Sequence, residues 1–288
     1  MQRRDFVQTL GAVIAAPIMA CAMPRAAASA GGTASRRLKR IGVQLYSLRD
    51  PAKANLDRTL ADIAEAGYKD VEMLMSMGNF GASPAQARAM LDKHGLRAPS
   101  THMGTRELAA LDRAMDEAAI LGHEYLFLAD TPGPLRKSLD GFRSWADQLN
   151  HAGEAARKRD LWIGFHDEAE DFVTIDGQVG YDVLMQRTDP SVVRAQLDIG
   201  NAVIGGADPV AYMKKYGDRY WSFHIKDAPA MRAAHDAELG KGIVDVRGVL
   251  SLVKNVDDKL VYVEQESYPG APIDSVRRDY AYLSKLEF

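Results

Sequence analysis

Three residues with metal-binding side chains stand far apart in the chain, each at the end of a short apolar run: Asp198, His224 and Glu264. Runs of this kind are typical of buried strands. Parallel strands of a barrel deliver the side chains at their carboxyl ends into one mouth. Carboxylates and imidazoles together suit Mn, Zn or Co, and burying several carboxylates without a cation is unfavourable. The pattern therefore predicts one bound divalent metal ion (Mn, Zn, Co or Mg).

Further polar residues stand at the ends of other predicted strands, and we expect them to share the same mouth. Each also has a structural interpretation, such as a hydrogen-bonded histidine, a glutamate paired with an arginine, or an exposed lysine. The candidates are Gln44, Glu72, His102, His166, Asp167, Glu168, Lys226 and Glu266.

Eight apolar, β-type runs alternate with eight helical patterns along the chain. The strands are expected at 41–46, 70–75, 97–102, 125–129, 161–166, 193–198, 221–226 and 259–264. The helices are expected at 56–65, 84–94, 107–121, 142–158, 181–188, 209–216, 246–255 and 276–286. This count and length predict an α/β fold, a single (β/α)8 TIM barrel over residues 40–288. An open doubly wound sheet is the alternative, but no glycine-rich turn follows the first strand.

The amino terminus has the features of an export signal. Arg3 and Arg4 are followed by Phe6, as in twin-arginine signals, and then by an apolar stretch at 10–22. That stretch is shorter than the roughly 20 residues needed to span a bilayer. We expect residues 1–30 to be removed, leaving no stable membrane span and a periplasmic or secreted protein.

Residues 31–39 are rich in small and basic residues and are expected to form a flexible tether. Cys21, the only cysteine, lies within the signal, where lipidation is an alternative outcome. The rest of the chain therefore has no disulfide, catalytic thiol or thiolate metal site. A formal net charge of −3 argues against a nucleic-acid partner. No sequence feature indicates the oligomeric state.

Several short motifs, in this order, resemble the xylose-isomerase-like barrel superfamily and its sugar phosphate isomerase/epimerase group. They are GVQLYSLRD at 42–50, GYKDVE at 67–72, QLDI at 196–199, GADP at 206–209, HIKD at 224–227 and VEQE at 263–266. Members typically hold one divalent ion with a Glu, an Asp, a His and a second Glu. The resemblance therefore implies that Asp198, His224 and Glu264 fill three of these four roles.

The fifth strand departs from that family pattern. Relatives often read YHNHxxEF there, whereas this chain reads FHDEAEDF at 165–172. His166 matches the first histidine and Glu168 replaces the second, so either one is expected to be the fourth ligand. Asn201 stands where relatives carry a larger aromatic residue or a histidine, which indicates a different substrate shape.

A metal held by the carbonyl and a neighbouring hydroxyl of a sugar acidifies the adjacent C–H bond. Glu264 and Glu168 are the expected base and acid. Gln44, Glu72, His102, His166, Lys226 and Glu266 are expected to contact the substrate. If the proton returns to the other face of the same carbon, the product is an epimer, and if it returns to the adjacent carbon, the product is an aldose–ketose isomer. If a leaving group on the next carbon is expelled instead, the reaction is a β-elimination.

We expect a metal-dependent isomerase or epimerase acting on a non-phosphorylated sugar. Export and the lack of a clear phosphate-binding pattern argue against sugar phosphates. The alternatives are a lyase that cleaves 3-keto-glycosides by β-elimination and a non-catalytic sugar-binding barrel.

Overall fold

Eight parallel strands close into a barrel in sequence order, with the first strand paired to both the second and the last. The computed structural model describes residues 35–288. The strands are β1 (Gly42–Gln44), β2 (Asp70–Leu74), β3 (Arg97–Met103), β4 (Tyr125–Leu128), β5 (Trp162–His166), β6 (Val193–Asp198), β7 (Tyr220–Ile225) and β8 (Leu260–Val263). The (β/α)8 prediction is confirmed, and each strand lies within three residues of its predicted bounds.

The helices surround the barrel: α1 (Arg49–Ala54), α2 (Leu56–Ala66), α3 (Pro84–His94), α4 (Thr105–Ala109), α5 (Leu111–Leu121), α6 (Leu139–Arg157), α7 (Gly180–Arg187), α8 (Ile199–Ile204), α9 (Pro209–Tyr216), α10 (Val246–Leu252) and α11 (Pro272–Leu283). A small hairpin, Thr174–Ile175 with Gln178–Val179, follows β5.

Capping residues explain why α3 has its predicted bounds. Ser83 and Gln86 form a reciprocal capping box, Pro84 opens the first turn, and Gly95 ends the helix in the left-handed region at φ 66°. The predicted helix at 107–121 is instead two helices. Ala110, at φ −118° and ψ 44°, leaves the helical region between α4 and α5.

The strand register brings the candidate residues into layers. Gln44 pairs with Glu72, His166 with Gln196, and Asp198 with His224. Because all eight strands are parallel, their carboxyl ends form one mouth. The register therefore places Asp198 and His224 side by side at that mouth.

The opposite end of the barrel carries a row of alternating cations and indole rings. The Arg194 guanidinium lies 3.7 Å from the ring centre of Trp162 and 4.1 Å from that of Trp221. Arg157 lies over Trp162 at 3.9 Å, and Lys259 over Trp221 at 3.7 Å. We call these five residues the basal stack; they join the amino-terminal ends of β5 to β8.

The predicted export signal, Cys21 and residues 31–34 of the predicted tether lie outside the described residues. The described part of the tether is attached to the barrel domain. The Arg36 backbone exchanges hydrogen bonds of 2.9 and 3.0 Å with Phe288, and its guanidinium donates to the Val253 carbonyl. Within residues 35–288, no helix combines the length and apolar character needed to cross a membrane.

Candidate metal centre at the barrel mouth

Four side chains meet at the carboxyl ends of β5 to β8. They are His166, Asp198, His224 and Glu264; each is buried, and their potential ligand atoms all lie within 4.8 Å of one another. Of the two candidates for the fourth place, His166 belongs to this cluster. Glu168 lies beside it, with Oε1 3.9 Å from His166 Nε2. We call these four residues the donor cluster.

Glu72 lies beneath the donor cluster and is saturated with hydrogen bonds. Its Oε2 accepts from Gln44 Nε2 at 2.8 Å and from His224 Nε2 at 2.5 Å. Its Oε1 accepts from Ser100 Oγ at 2.7 Å, and Gln196 Nε2 donates to both oxygens. Glu72 and Gln44 are fully buried. They were predicted to touch substrate, but the structure places them where they orient protein groups instead.

Gln196 orients the other two imidazole rings. Its amide oxygen lies 2.8 Å from His102 Nε2 and 3.1 Å from His166 Nδ1, so both ring nitrogens donate to it. The unprotonated Nε2 of His166 lies 3.5 Å from Asn201 Nδ2, while His224, which donates Nε2–H to Glu72, directs Nδ1 at Glu264 in the cluster. Such hydrogen bonds from the far ring nitrogen are usual for metal-binding histidines.

The donor cluster fits a divalent metal ion. Asp198 Oδ1 accepts from the amides of Gly200 and Asn201 at 2.8 Å and thereby begins α8. Its Oδ2 is buried and accepts no hydrogen bond of ordinary geometry, although the Lys226 ammonium lies 3.0 Å away. The donor cluster offers two imidazoles and two carboxylates, and these groups match the ligand preferences of Zn, Mn and Co.

Lys226 directly adjoins the cluster and is also buried. Its ammonium nitrogen lies 3.0 Å from Asp198 Oδ2, 3.1 Å from Glu264 Oε2 and 2.7 Å from Glu266 Oε1. It also donates to Asn201 Oδ1 at 3.2 Å. Lys226 was predicted to contact substrate, and the structure shows that its ammonium is occupied by protein oxygens.

These close contacts shift the ionisation of the cluster. Burial would lower the pKa of His224, but Glu264 and Glu72 outweigh it and raise the pKa to about 10. Burial would raise the pKa of Glu264, but Lys226 and His224 hold it well below the usual value. Burial raises the pKa of Asp198 to about 7, opposed by Lys226.

The pKa of Lys226 is shifted in the opposite direction from that of an ordinary buried lysine. Burial would lower its pKa, but Asp198, Glu264 and Glu266 outweigh burial and hold the pKa well above the usual value. Burial also raises the pKa of Glu168 to about 8, although 37% of that side chain is exposed.

A cavity of about 190 Å³ opens above the donor cluster. His166 and Glu264 reach it from the cluster, and His102, Glu168 and Glu266 line it as well. The predicted catalytic pair, Glu168 and Glu264, thus faces one space together with three of the six predicted substrate contacts. Ser76 and Met77, which follow β2, and Tyr46 complete much of its wall.

Several contacts that organise this site were not predicted from the sequence. Gln196 offered a signal, because it is a polar residue inside an apolar strand. Asn201 donates to Glu168 Oε2 at 3.1 Å while accepting from Lys226. Asp236 accepts from the backbone amides of Glu266 and Ser267, which positions Glu266. No local pattern marks that last contact.

The fold and the donor cluster define a (β/α)8 barrel with a metal-type site at its mouth. The chain belongs to the xylose isomerase-like TIM barrel family, which it matches over residues 60–286.

Among curated relatives, the chain is 26% identical over 194 residues to inosose dehydratase of Geobacillus kaustophilus (strain HTA426). The alignment covers 59% of this chain and 61% of that protein, so the chain spans less than two thirds of that relative.

Two solved structures illustrate the shared fold. A sugar phosphate isomerase/epimerase from Parabacteroides distasonis ATCC 8503 has a TM-score of 0.74 at 22% identity, covering 88% of this chain and 98% of that one. The IOLI protein, solved with a binding zinc atom, has a TM-score of 0.65 at 14% identity, covering 84% and 95%. At these identities the likeness concerns the fold alone.

Proposed function

We propose that this chain is a divalent-metal-dependent enzyme acting on an unphosphorylated keto-sugar or keto-polyol. It removes the proton beside the carbonyl and eliminates the oxygen substituent on the next carbon. The observation that carries the proposal is the convergence of His166, Asp198, His224 and Glu264 beneath a cavity large enough for a small polyol.

The four donors would hold the metal, with Mn, Zn or Co favoured over Mg by the two imidazoles. When bound, the ion polarises the substrate carbonyl and acidifies the neighbouring C–H bond. Glu72 and Gln196 fix the far ring nitrogens of His224 and His166, and His224 would release the proton that it shares with Glu264 when the ion binds. The remaining chemistry belongs to protein groups.

Glu264 is the base and Glu168 the acid in this proposal. Glu264 is kept ionised by the adjacent Lys226 and His224, and it reaches the cavity. Glu168 lies outside the donor cluster and faces the same cavity, where it can protonate a departing oxygen. A base and an acid at separate positions suit elimination, in which a proton leaves one carbon and an oxygen leaves the next.

The cavity wall supports a neutral substrate. Glu168, Glu264 and Glu266 contribute carboxylates, and none of the described lining residues is an arginine or lysine. Lys226, just beneath, already contacts three carboxylates. A phosphate would meet negative charge without a cationic partner.

Two lines of evidence bear on the type of reaction. Elimination is supported by relatives named inosose dehydratase. Epimerisation or isomerisation of a sugar is the second candidate, favoured because Glu168 and Glu264 both face one cavity. In that reaction the proton taken by Glu264 is replaced at another face or carbon by Glu168.

Proton NMR in D2O tests the reaction class. The protein is loaded with Mn²⁺ and incubated with keto-polyols, 3-keto-glucosides, neutral sugars and sugar phosphates. Asp198→Asn is the inactive control, and Asp208→Asn, at the exposed cap of α9 and outside both the donor cluster and the cavity wall, is the matched active control.

Loss of water or an aglycone with formation of an unsaturated ketone is the expected result. Deuterium incorporation with a new epimer or ketose favours the second candidate instead. Better turnover of sugar phosphates contradicts the substrate class. A protein that holds Mn²⁺ but exchanges no proton of any substrate contradicts the proposed function and favours a sugar-binding role.

We also propose export through the twin-arginine-type signal at residues 1–30, supported by Arg3, Arg4 and the apolar stretch after them. Cell fractionation of the intact protein and of Arg3→Lys/Arg4→Lys checks this. Retention of the variant in the cytoplasm is expected, and equal distribution of both proteins contradicts export by this route.

A further inference from the structure

Lys226 contacts the same carboxylate oxygens that face the donor cluster. Asp198 Oδ1 is occupied by the first amides of α8, so Oδ2 is the oxygen available to a metal, and it lies 3.0 Å from Lys226 Nζ. Glu264 Oε2, which lies 2.9 Å from His224 Nδ1, is 3.1 Å from the same ammonium. The lysine and a metal ion therefore compete for two oxygens.

A second set of acceptors lies on the cavity side of the ammonium. Glu266 Oε1 is 2.7 Å from Lys226 Nζ, and 40% of the Glu266 side chain is exposed. Asn201 Oδ1 lies 3.2 Å away. Asp236 fixes the Glu266 backbone through two hydrogen bonds. A lysine has a flexible four-carbon stem, so its ammonium can turn toward these acceptors without leaving the site.

Two buried carboxylates without a cation are unstable, and an ammonium beside a divalent ion is repelled. We propose that Lys226 acts as an exchangeable counter-ion: in the metal-free protein it contacts Asp198 and Glu264 as well as Glu266 and Asn201, and when the metal binds it gives up the first two and keeps the last two. The inference rests on the proposed metal binding. The ammonium would thereby hold the two carboxylates in place in the metal-free protein. Metal binding would be weaker as a result, because the ion has to displace the ammonium.

Substitution of Lys226 by methionine tests this exchange. Lys226→Met keeps most of the stem but removes the charge. The matched control is Lys259→Met, which removes a partly buried lysine at the basal stack. Mn²⁺ dissociation constants from calorimetric titration and melting temperatures with and without Mn²⁺ are compared for the wild type and both variants.

Lys226→Met is expected to bind Mn²⁺ at least about tenfold more tightly than the wild type. Its melting temperature is expected to fall without metal and to return close to the wild-type value with Mn²⁺. Lys259→Met lowers both melting temperatures equally and leaves the dissociation constant unchanged. Unchanged or weaker Mn²⁺ binding by Lys226→Met overturns the proposal, as does an equal loss of stability in both states.

Glu266→Gln gives an independent test that keeps the lysine and serves if Lys226→Met does not fold. Without Glu266 the ammonium stays on Asp198 and Glu264, so Mn²⁺ affinity is expected to fall about tenfold. In the Lys226→Met background the same change is expected to have less than about a twofold effect.

Equal effects of Glu266→Gln in both backgrounds contradict the exchange, since Glu266 then acts on the metal directly. Unchanged affinity of the single variant contradicts it as well. If the wild type binds no divalent metal, the proposed function fails first. If the wild type binds Mn²⁺ and these variants do not differ from it, only the exchange fails.

Discussion

At the mouth of the barrel Lys226 is buried among carboxylates, whereas at the opposite end Arg194 lies between two indole rings. Both arrangements stabilise a cation away from water. Indole rings attract it through their quadrupole and offer no lone pair to a metal. Carboxylates accept either an ammonium or a metal ion, so the occupant of the mouth can change. The basal stack can only stabilise the fold.

The pKa values differ in the same way. Carboxylates outweigh burial and raise the pKa of Lys226, while burial lowers the pKa of Arg194 because its aromatic neighbours carry no compensating charge. In this barrel, as is general for the fold, chemistry belongs to the carboxyl-terminal face and stability to the other.

The strongest expected effect is the loss of function without loss of fold at the mouth. Asp198→Asn keeps the cap of α8, because the amide oxygen still accepts from Gly200 and Asn201, but removes a charged metal ligand. Turnover is expected to fall about 1,000-fold or more, with Mn²⁺ binding weakened and the fold retained at a lower melting temperature, because the buried Lys226 ammonium loses one of its carboxylates. Metal content, turnover and thermal melts of this variant and of Asp208→Asn check it; parallel losses in both would contradict a specific role.

At the basal stack, a loss of stability without a loss of function is expected. Arg194→Met removes two cation–indole contacts and is expected to destabilise the fold by about 2–4 kcal/mol. Urea unfolding measures this, and Mn²⁺ affinity and turnover per folded molecule should equal those of the wild type. Arg194→Lys should lie between the two, since it keeps the charge but not the planar stacking. A change in Mn²⁺ affinity would show that the two ends are coupled.

A smaller effect is expected where a buried carboxylate lacks a close ammonium. Asp279 accepts from the Leu239 amide, its Oδ2 has no partner, and burial raises its pKa to about 7. The folded state therefore holds this proton more tightly than the unfolded state. Stability is lost as pH rises from about 4 to about 7.

Asp279→Asn should remove that part of the pH dependence. Urea unfolding at pH 5 and pH 8 compares the two proteins, and the wild type is expected to lose more stability between these values. An identical pH dependence in both proteins would mean that Asp279 is ionised in the folded protein at no cost.

The sequence predicted strands better than helices for a physical reason. Most strands carry short apolar runs because both of their faces are buried. The short helices α1 and α8, of six residues each, contain too few turns to show a helical period. The break at Ala110 depends on local backbone angles that no residue pattern marks.

The candidate site was partly predictable for a related reason. Asp198, His224 and Glu264 end apolar runs, so their place at the mouth follows from the fold. The depth of the Gln44 and Glu72 side chains inside the barrel does not follow from the sequence, because it depends on the stagger of the strands around the barrel. The sequence could not decide between His166 and Glu168 as the fourth ligand. It also gave no sign that Asp236 contacts the backbone after Glu264.

Glu72 has a consequence for the order in which this protein folds. Its carboxylate lies on β2 and accepts hydrogen bonds from residues on β1, β3, β6 and β7. Strands from both halves of the chain must therefore be in register before His224 is oriented. Such contacts between distant residues form late, after the entropy of the intervening chain has been lost. In a half-formed barrel the metal-binding side chains are not yet oriented. High-affinity metal binding during refolding should therefore begin only when the last strands close the barrel, later than the formation of the helices.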